Sequence, residues 1–267
     1  MYSFTYVRPS TIADAVAQLG KAGDARFLAG GQTMIPTMKQ RLAKPTALID
    51  LGALAELKGI EKNGNAIGVG AMTTHREMAA SAVVKAAIPA LARLADGIGD
   101  PQVRARGTIG GSVANNDPAA DYPAAILALN ATIVTDKRQI KADDFFKAMF
   151  LTNLGPGEMI TAIGLPIPEK AGYAKFEQRA SRYALVGVFV AKTASGVRVA
   201  VTGAGEAGVF RVSALERALS ANFTPAAVKG IEVSAGGILS DLHAPADYRA
   251  SLITVMTERA VAMALAG

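Results

Sequence analysis

The sequence predicts an α+β chain of two domains, residues 1–168 and 169–267. Three observations predict it. The opening alternates short apolar strand patterns with an amphipathic helix pattern, and turn residues then punctuate many short elements. Beyond Pro166 and Pro168 the pattern changes to long apolar strand runs followed by helices. A length of 267 residues suits one or two domains. With 51% hydrophobic and 19% charged residues the chain is globular, and its 27 glycines and 12 prolines fit frequent turns.

Taken in order, Ser10-Thr11 caps a helix that runs through Leu19 and ends at Gly20. Arg26-Phe27-Leu28-Ala29 reads as a strand stopping at Gly30-Gly31, and Thr46-Ala47-Leu48-Ile49-Asp50-Leu51 as another after Pro45. Residues 1–55 thus form a small α/β subdomain, and residues 56–168 a second one. Asn63-Gly64-Asn65 joins two apolar runs into a hairpin, and Thr74-His75-Arg76-Glu77 has capping-box spacing that starts a helix. Residues 81–98 are Ala/Leu-rich and helical, with Pro89 early in their second segment. Residues 99–118 read as irregular, 121–129 as a helix capped by Asp117 before Pro118, and 131–135 as a strand. In the second domain, 173–179, 184–192 and 196–201 form an antiparallel meander. Helices follow at 213–220, 224–229 and 247–265, the first opened by the capping box Ser213-x-x-Glu216.

Charge and rare residues exclude several functions. Lys and Arg number 28 against 22 Asp and Glu, a net +6 spread along the chain with no run longer than Lys137-Arg138. Nucleic-acid binding concentrates such charge on one face, so no nucleic-acid partner is expected; a mild basic excess suits an anionic ligand. Without cysteine the chain holds no disulfide, thiolate zinc site, iron–sulfur cluster or catalytic thiol. Two histidines exclude a histidine-rich metal site; His75 reads as an early-helix residue near a ligand cavity and His243 as a surface-loop residue. The start lacks the pattern of a signal peptide, and no apolar stretch is long enough for a membrane span, so a cytoplasmic location is expected.

Two glycine loops carry the chemistry. Ala29-Gly30-Gly31-Gln32-Thr33 directly follows an apolar strand. Paired glycines let backbone approach a ligand closely and turn successive N–H groups toward an anion, with the Thr33 hydroxyl and Gln32 amide as further donors. A plain strand-to-helix turn would read the same way. Thr108-Ile109-Gly110-Gly111-Ser112 repeats that grammar, and two such nests can hold the two phosphates of one dinucleotide from opposite sides. Beyond it, Asp121 is either an acceptor for hydroxyls of a bound sugar or ribityl chain, or an exposed first-turn carboxylate favoured by the helix dipole. Gly203-Ala204-Gly205-Glu206-Ala207-Gly208 matches G-x-G-x-x-G after a strand. That motif needs a helix opening inside the glycines, whereas extended Val209-Phe210-Arg211-Val212 follows, so it reads as a strand connection.

The two loops resemble the paired FAD-binding motifs of the flavoprotein subunit of molybdenum hydroxylases. That family includes the medium subunit of carbon monoxide dehydrogenase and the FAD domain of xanthine dehydrogenase. Gly70-Ala71-Met72-Thr73-Thr74-His75, Gln102-Val103-Arg104-x-Arg106-Gly107, Asp117-Pro118-Ala119-Ala120-Asp121 and Lys175-Phe176-x-x-Arg179 extend the resemblance over the whole chain. It implies an FAD-binding domain of the vanillyl-alcohol oxidase and murein-reductase type, with two α/β subdomains, followed by an α+β C-terminal domain. It also implies that both loops hold the FAD pyrophosphate and ribityl chain, that Asp121 contacts the cofactor, and that Ile160 and Tyr183 border the flavin ring. Ser112 stands where Asn is frequent, and Arg182 where Asp is common. The implied partners are a large molybdopterin subunit and a small subunit with two [2Fe–2S] clusters, in a dimer of heterotrimers. Electrons would leave to NAD or a quinone, from non-covalent FAD, with no catalytic acid or base in this chain. The rival readings are a self-contained flavin or nicotinamide oxidoreductase using residues 203–208, and a non-enzymatic assembly subunit whose loops are only turns.

Overall fold

The computed structural model describes residues 1–21 and 23–267. The chain opens with β1 (Thr5–Val7), α1 (Ile12–Lys21), β2 (Ala25–Leu28), α2 (Met34–Lys39) and β3 (Ala47–Asp50). The strands form a parallel sheet in the order β1-β3-β2, which requires helices as crossovers. Thr11 Oγ1 accepts the Asp14 N–H at 3.1 Å, but α1 runs through Gly20 to Lys21 instead of ending there. Ala15 on α1 packs with Ile49, Leu51, Leu54 and Leu57 in a small core of its own.

Next come β4 (Ile60–Asn63) and β5 (Ala66–Gly70), joined by a two-residue turn with Gly64 at φ +59°. Helix α3 (His75–Ala80) carries the complete Thr74–Glu77 capping box. Helices α4 (Ala82–Ala87) and α5 (Pro89–Asp96) follow, with Pro89 in the first turn, where no N–H is needed. Residues 99–118 are not irregular. They hold α6 (Pro101–Arg106) and α7 (Ile109–Asn115), because Asp100 accepts the Val103 N–H at 2.7 Å and Thr108 the Gly111 N–H at 3.1 Å. Nor does Asp117 cap α8 (Tyr122–Ala128). It accepts the Ala119 N–H at 2.9 Å in a tight turn, and Asp121 occupies the cap position.

Strands β6 (Thr132–Thr135) and β7 (Gln139–Lys141), α9 (Ala142–Phe145), the short pair β8 (Phe146–Ala148) and β9 (Leu151–Thr152), and β10 (Ile160–Pro166) complete this region. The five-stranded sheet runs β4-β5-β10-β6-β7 and is antiparallel throughout. Neither its central strand, β10, nor its edge strand, β7, is announced by the sequence pattern. Gly164 and Pro166 dilute the apolar alternation of β10, and burial of Ile163 and Leu165 places it.

Strands β11 (Lys170–Glu177), β12 (Ala184–Thr193), β13 (Gly196–Thr202) and β14 (Phe210–Arg211) form an antiparallel sheet in that order. Helices α10 (Ser213–Ala221) and α11 (Ala246–Ala266) cover one face, where Val186, Val188 and Val190 meet Ile253, Met256 and Ala260. Gly172 permits that contact, since a Cβ there would lie 1.9 Å from the Ala260 carbonyl oxygen. The opposite face, with Tyr173, Phe189 and Ala200, joins the core of α5 and α8. Burial on both faces explains why β12 reads as a continuous apolar run instead of an alternation. Ser213 and Glu216 form no capping box. Glu216 instead binds the Arg211 guanidinium at 2.7 and 2.8 Å and the Val199 N–H at 3.0 Å. Residues 225–228 make only a single tight turn.

Candidate functional site

A cavity of about 520 Å³ opens where the first lobe, α7 and the β11–β12 turn converge. Ala29, Gly30, Gly31, Gln32 and Thr33 line one side, and Thr108, Gly110, Gly111 and Ser112 the other. Asp121, Ile160 and Tyr183 complete it. Ile109 does not share this placement: its side chain is fully buried in the core under α7.

The two loops differ in what they offer. In the first, Gly31 sits at φ +74°. Among the described residues, the N–H groups of Gly30, Gly31, Gln32 and Thr33 have no hydrogen-bond acceptor in the protein. In the second, the amides are already used. Ile109 donates to the Thr73 carbonyl, Gly110 to Ala71, and Gly111 and Ser112 to the Thr108 hydroxyl and carbonyl. The expectation of two matching amide nests is therefore corrected: the second loop is the first turn of a helix. Its glycines serve close packing. A Cβ on Gly110 would lie 2.6 Å from that of Ala71, and one on Gly30 would lie 2.0 Å from the Arg106 carbonyl oxygen. Glycine thus lets the first loop press against the backbone that leads into the second.

Asp121 is buried, not exposed. Its Oδ1 accepts from the Tyr173 hydroxyl at 2.5 Å and from Lys175 Nζ at 3.0 Å, while Oδ2 has no protein partner among the described residues. Burial raises its pKa, and the Lys175 charge and the Tyr173 hydrogen bond oppose that rise. Lys175 also donates to the carbonyls of Gly97 and Arg182 at 2.9 and 2.8 Å. The same ammonium therefore braces the turn that presents Tyr183, whose ring is half exposed at the cavity. Arg182 takes φ +61° in that turn.

Of two further wall residues, Glu158 is one the sequence reading did not single out, and His75 stands at the start of its helix beside the cavity, as that reading expects. Glu158, beside Met159 and Ile160, is ion-paired with Arg138 at 2.9 Å and accepts from the Thr135 hydroxyl and the Gly155 N–H, each at 2.7 Å. Arg138 holds its carboxyl well below the usual range, at about 2, with the other two donors assisting. His75 lines the cavity with a buried Nδ1 that has no partner among the described residues, and the buried Tyr122 hydroxyl beside it is equally unpaired among them. Burial, then the nearby Arg104 charge, lowers the imidazole pKa to about 4, so it is neutral at pH 7. His243 is exposed and lies 3.1 Å from Gln178 through Nδ1. The glycines of 203–208 form a turn leading into β14, with no helix opening among them. Among the described residues no three His, Asp or Glu side chains gather as a metal site, and no helix is long and apolar enough to cross a membrane.

A nest of unpaired amides, an uncommitted carboxylate oxygen and an apolar wall of Met72, Met159 and Ile160 fit a ligand with a phosphate bridge, hydroxyls and a flat ring. FAD has those three parts. The family described as the FAD binding domain in molybdopterin dehydrogenase matches residues 2–168. The carbon monoxide dehydrogenase medium chain of Hydrogenophaga pseudoflava is 36% identical, over 97% of this chain and 96% of that one. The glyceraldehyde dehydrogenase medium chain of Sulfolobus acidocaldarius is 35% identical, over 93% and 91%. A chain of reconstituted CO dehydrogenase from Oligotropha carboxidovorans superposes with a TM-score of 0.90 at 33% identity, covering 99% of this chain and 98% of that one. Fold, cavity and relatives define an FAD-binding oxidoreductase subunit. The chain belongs to the FAD-binding medium-subunit family of the molybdenum hydroxylases.

Proposed function

We propose that the cavity holds FAD through both loops and that the chain is the electron-output subunit of a molybdopterin-dependent dehydrogenase. In this reading the amides of residues 30–33 bind the pyrophosphate, and the second loop walls it in. Asp121 accepts a cofactor hydroxyl on Oδ2, and Ile160 and Tyr183 border the flavin ring. The open first nest carries the reading, because four consecutive amides at the cavity have no acceptor in the protein among the described residues and are free to meet an anion.

When bound, FAD supplies exchange between one-electron and two-electron transfer. The chain's own residues bind, orient and surround it. Lys175 keeps Asp121 and the Arg182 carbonyl in register, and Arg138 keeps Glu158 ionised beside the apolar wall. A chain without cysteine holds no iron–sulfur cluster, so electrons arrive from elsewhere. The proposed source is a small [2Fe–2S] subunit, fed by a large molybdopterin subunit, in a cytoplasmic dimer of heterotrimers that delivers electrons to NAD or a quinone. Relatives named for carbon monoxide and for glyceraldehyde match this chain almost equally, which fits a flavin module shared by complexes with different substrates. The FAD is dissociable, with residues 1–168 as the binding domain and 169–267 as the second domain.

Titration of the flavin-free chain with FAD, read by flavin absorbance, tests this with two variants, the first of which must also displace the tip of the Ile35 side chain, 2.7 Å from the added Cβ. Gly31→Ala and Gly208→Ala both place a side chain at positive φ, +74° and +100°. Only the first is expected to weaken FAD binding, at least tenfold. The reverse result supports a self-contained oxidoreductase using residues 203–208, and absence of FAD binding in the parent chain supports an assembly subunit. Acid precipitation is expected to leave all flavin in solution, and large and small subunits are expected to co-purify.

A further inference from the structure

Behind the wall of the FAD cavity lies a second concavity of about 470 Å³. Helices α3 and α6 form that wall, and adjacent residues on each face opposite ways. His75 and Val103 line the large cavity, whereas Arg76 and Arg104 line the second. With Lys85 and Arg93 they make four cations against one acid, Asp96.

That acid pairs with Arg104 alone and leaves the others unneutralised by it. Asp96 is 74% exposed, and its carboxylate stands 3.7 Å from Arg104 Nε, beyond hydrogen-bond reach. The Arg104 side chain is only 15% exposed, and its Nη1 is fixed by the carbonyls of Ile98 and Gly99 at 3.1 and 3.0 Å. A guanidinium is thus held in place at the cleft. Arg93 donates to the oxygen of Gly267 at 3.1 Å. Among the described residues, Arg76 and Lys85 have neither an ion pair nor a side-chain hydrogen bond. The floor is short and apolar, with Ala79, Ala92 and Pro89 beneath the charged rim. Cations of one sign around a concave, low-dielectric surface focus a positive potential and repel one another unless an anion enters. Forked guanidinium groups match phosphate oxygens, and a point-like ammonium adds charge.

We propose that this cleft binds a soluble phosphate ester of nucleotide size carrying at least two phosphate charges. Its phosphates sit on Arg76, Lys85 and Arg104, and its apolar part on the alanine–proline floor. Concavity and volume favour a small molecule over the flat acidic face of a protein.

The test uses the FAD-saturated full chain, whose large cavity is then closed to the probes. Pyrophosphate and ATP are titrated calorimetrically at low salt. The expected result is one saturable site, weakened at least tenfold in the double variant Arg76→Gln, Lys85→Gln, with flavin absorbance and Tm unchanged. Both side chains are exposed, so the variant keeps the fold. In the flavin-free chain the double variant removes only this pyrophosphate site and leaves any pyrophosphate bound at residues 30–33 unchanged, which separates this test from the FAD reading. Absence of saturable binding at millimolar probe, or equal affinity in the variant, overturns the proposal. Variant-sensitive binding of poly-glutamate without binding of pyrophosphate or ATP also overturns it, and assigns the cleft to an acidic protein segment.

Discussion

Acidification puts the buried imidazole of His75 to a quantitative test. Its pKa falls from 6.5 to about 4 on folding, chiefly through burial. The unfolded chain therefore takes up the proton first, and folding loses stability as pH falls. The His75 contribution is complete above about pH 6.5, declines between 6.5 and 4, and is flat below. At about 1.4 kcal/mol for each factor of ten in the proton equilibrium, the full loss is about 3 kcal/mol, of which about 2 kcal/mol is gone by pH 5. His75→Phe keeps a ring of similar size beside Tyr122 and removes both the titrating group and the unpaired Nδ1. Urea unfolding of the parent and the variant at pH 7 and pH 5 isolates the effect, because every other titrating group is common to both. The parent is expected to lose about 2 kcal/mol more than the variant over that interval. Equal losses would refute the claim that the imidazole is buried neutral against the cavity.

Glu158 obeys the same linkage in a lower window. Its depressed pKa, about 2 against 4.5, makes its contribution complete above pH 4.5 and lost as pH falls toward 2. The Tm difference between parent and Glu158→Gln should shrink across that window, as read by calorimetry. Lys175→Met strands the Asp121 carboxylate in the interior and should cost about 3–5 kcal/mol in urea unfolding, with FAD affinity falling as the Tyr183 turn loses its brace. Gly30→Ala drives a methyl group into the Arg106 carbonyl and should cost about 1–3 kcal/mol, measured by thermal unfolding, together with weaker FAD binding.

Much of this chain is legible locally. The Thr74–Glu77 capping box, the Asn63–Ala66 hairpin and the first glycine loop lie where a few consecutive residues place them. Helix caps and tight turns depend on backbone angles and on donors within three or four positions, so short windows contain their cause. Residues 99–118 read as irregular from the same windows. Four glycines there suggest a loop, yet the caps Asp100 and Thr108 were present and decide in favour of helices.

The absence of cysteine, and with it of any iron–sulfur cluster in this chain, needs no coordinates. Tertiary structure alone decided the rest. It put β10 at the centre of a sheet despite its glycine and proline, and it consumed the amides of the second loop on Ala71 and Thr73. It also brought Tyr173 and Lys175 onto an aspartate more than fifty residues earlier in the chain, where a first-turn carboxylate could equally have faced water. The physical reason is desolvation. Whether a polar group is buried, and which partner then satisfies it, depends on segments far apart in sequence that meet only when the chain is folded.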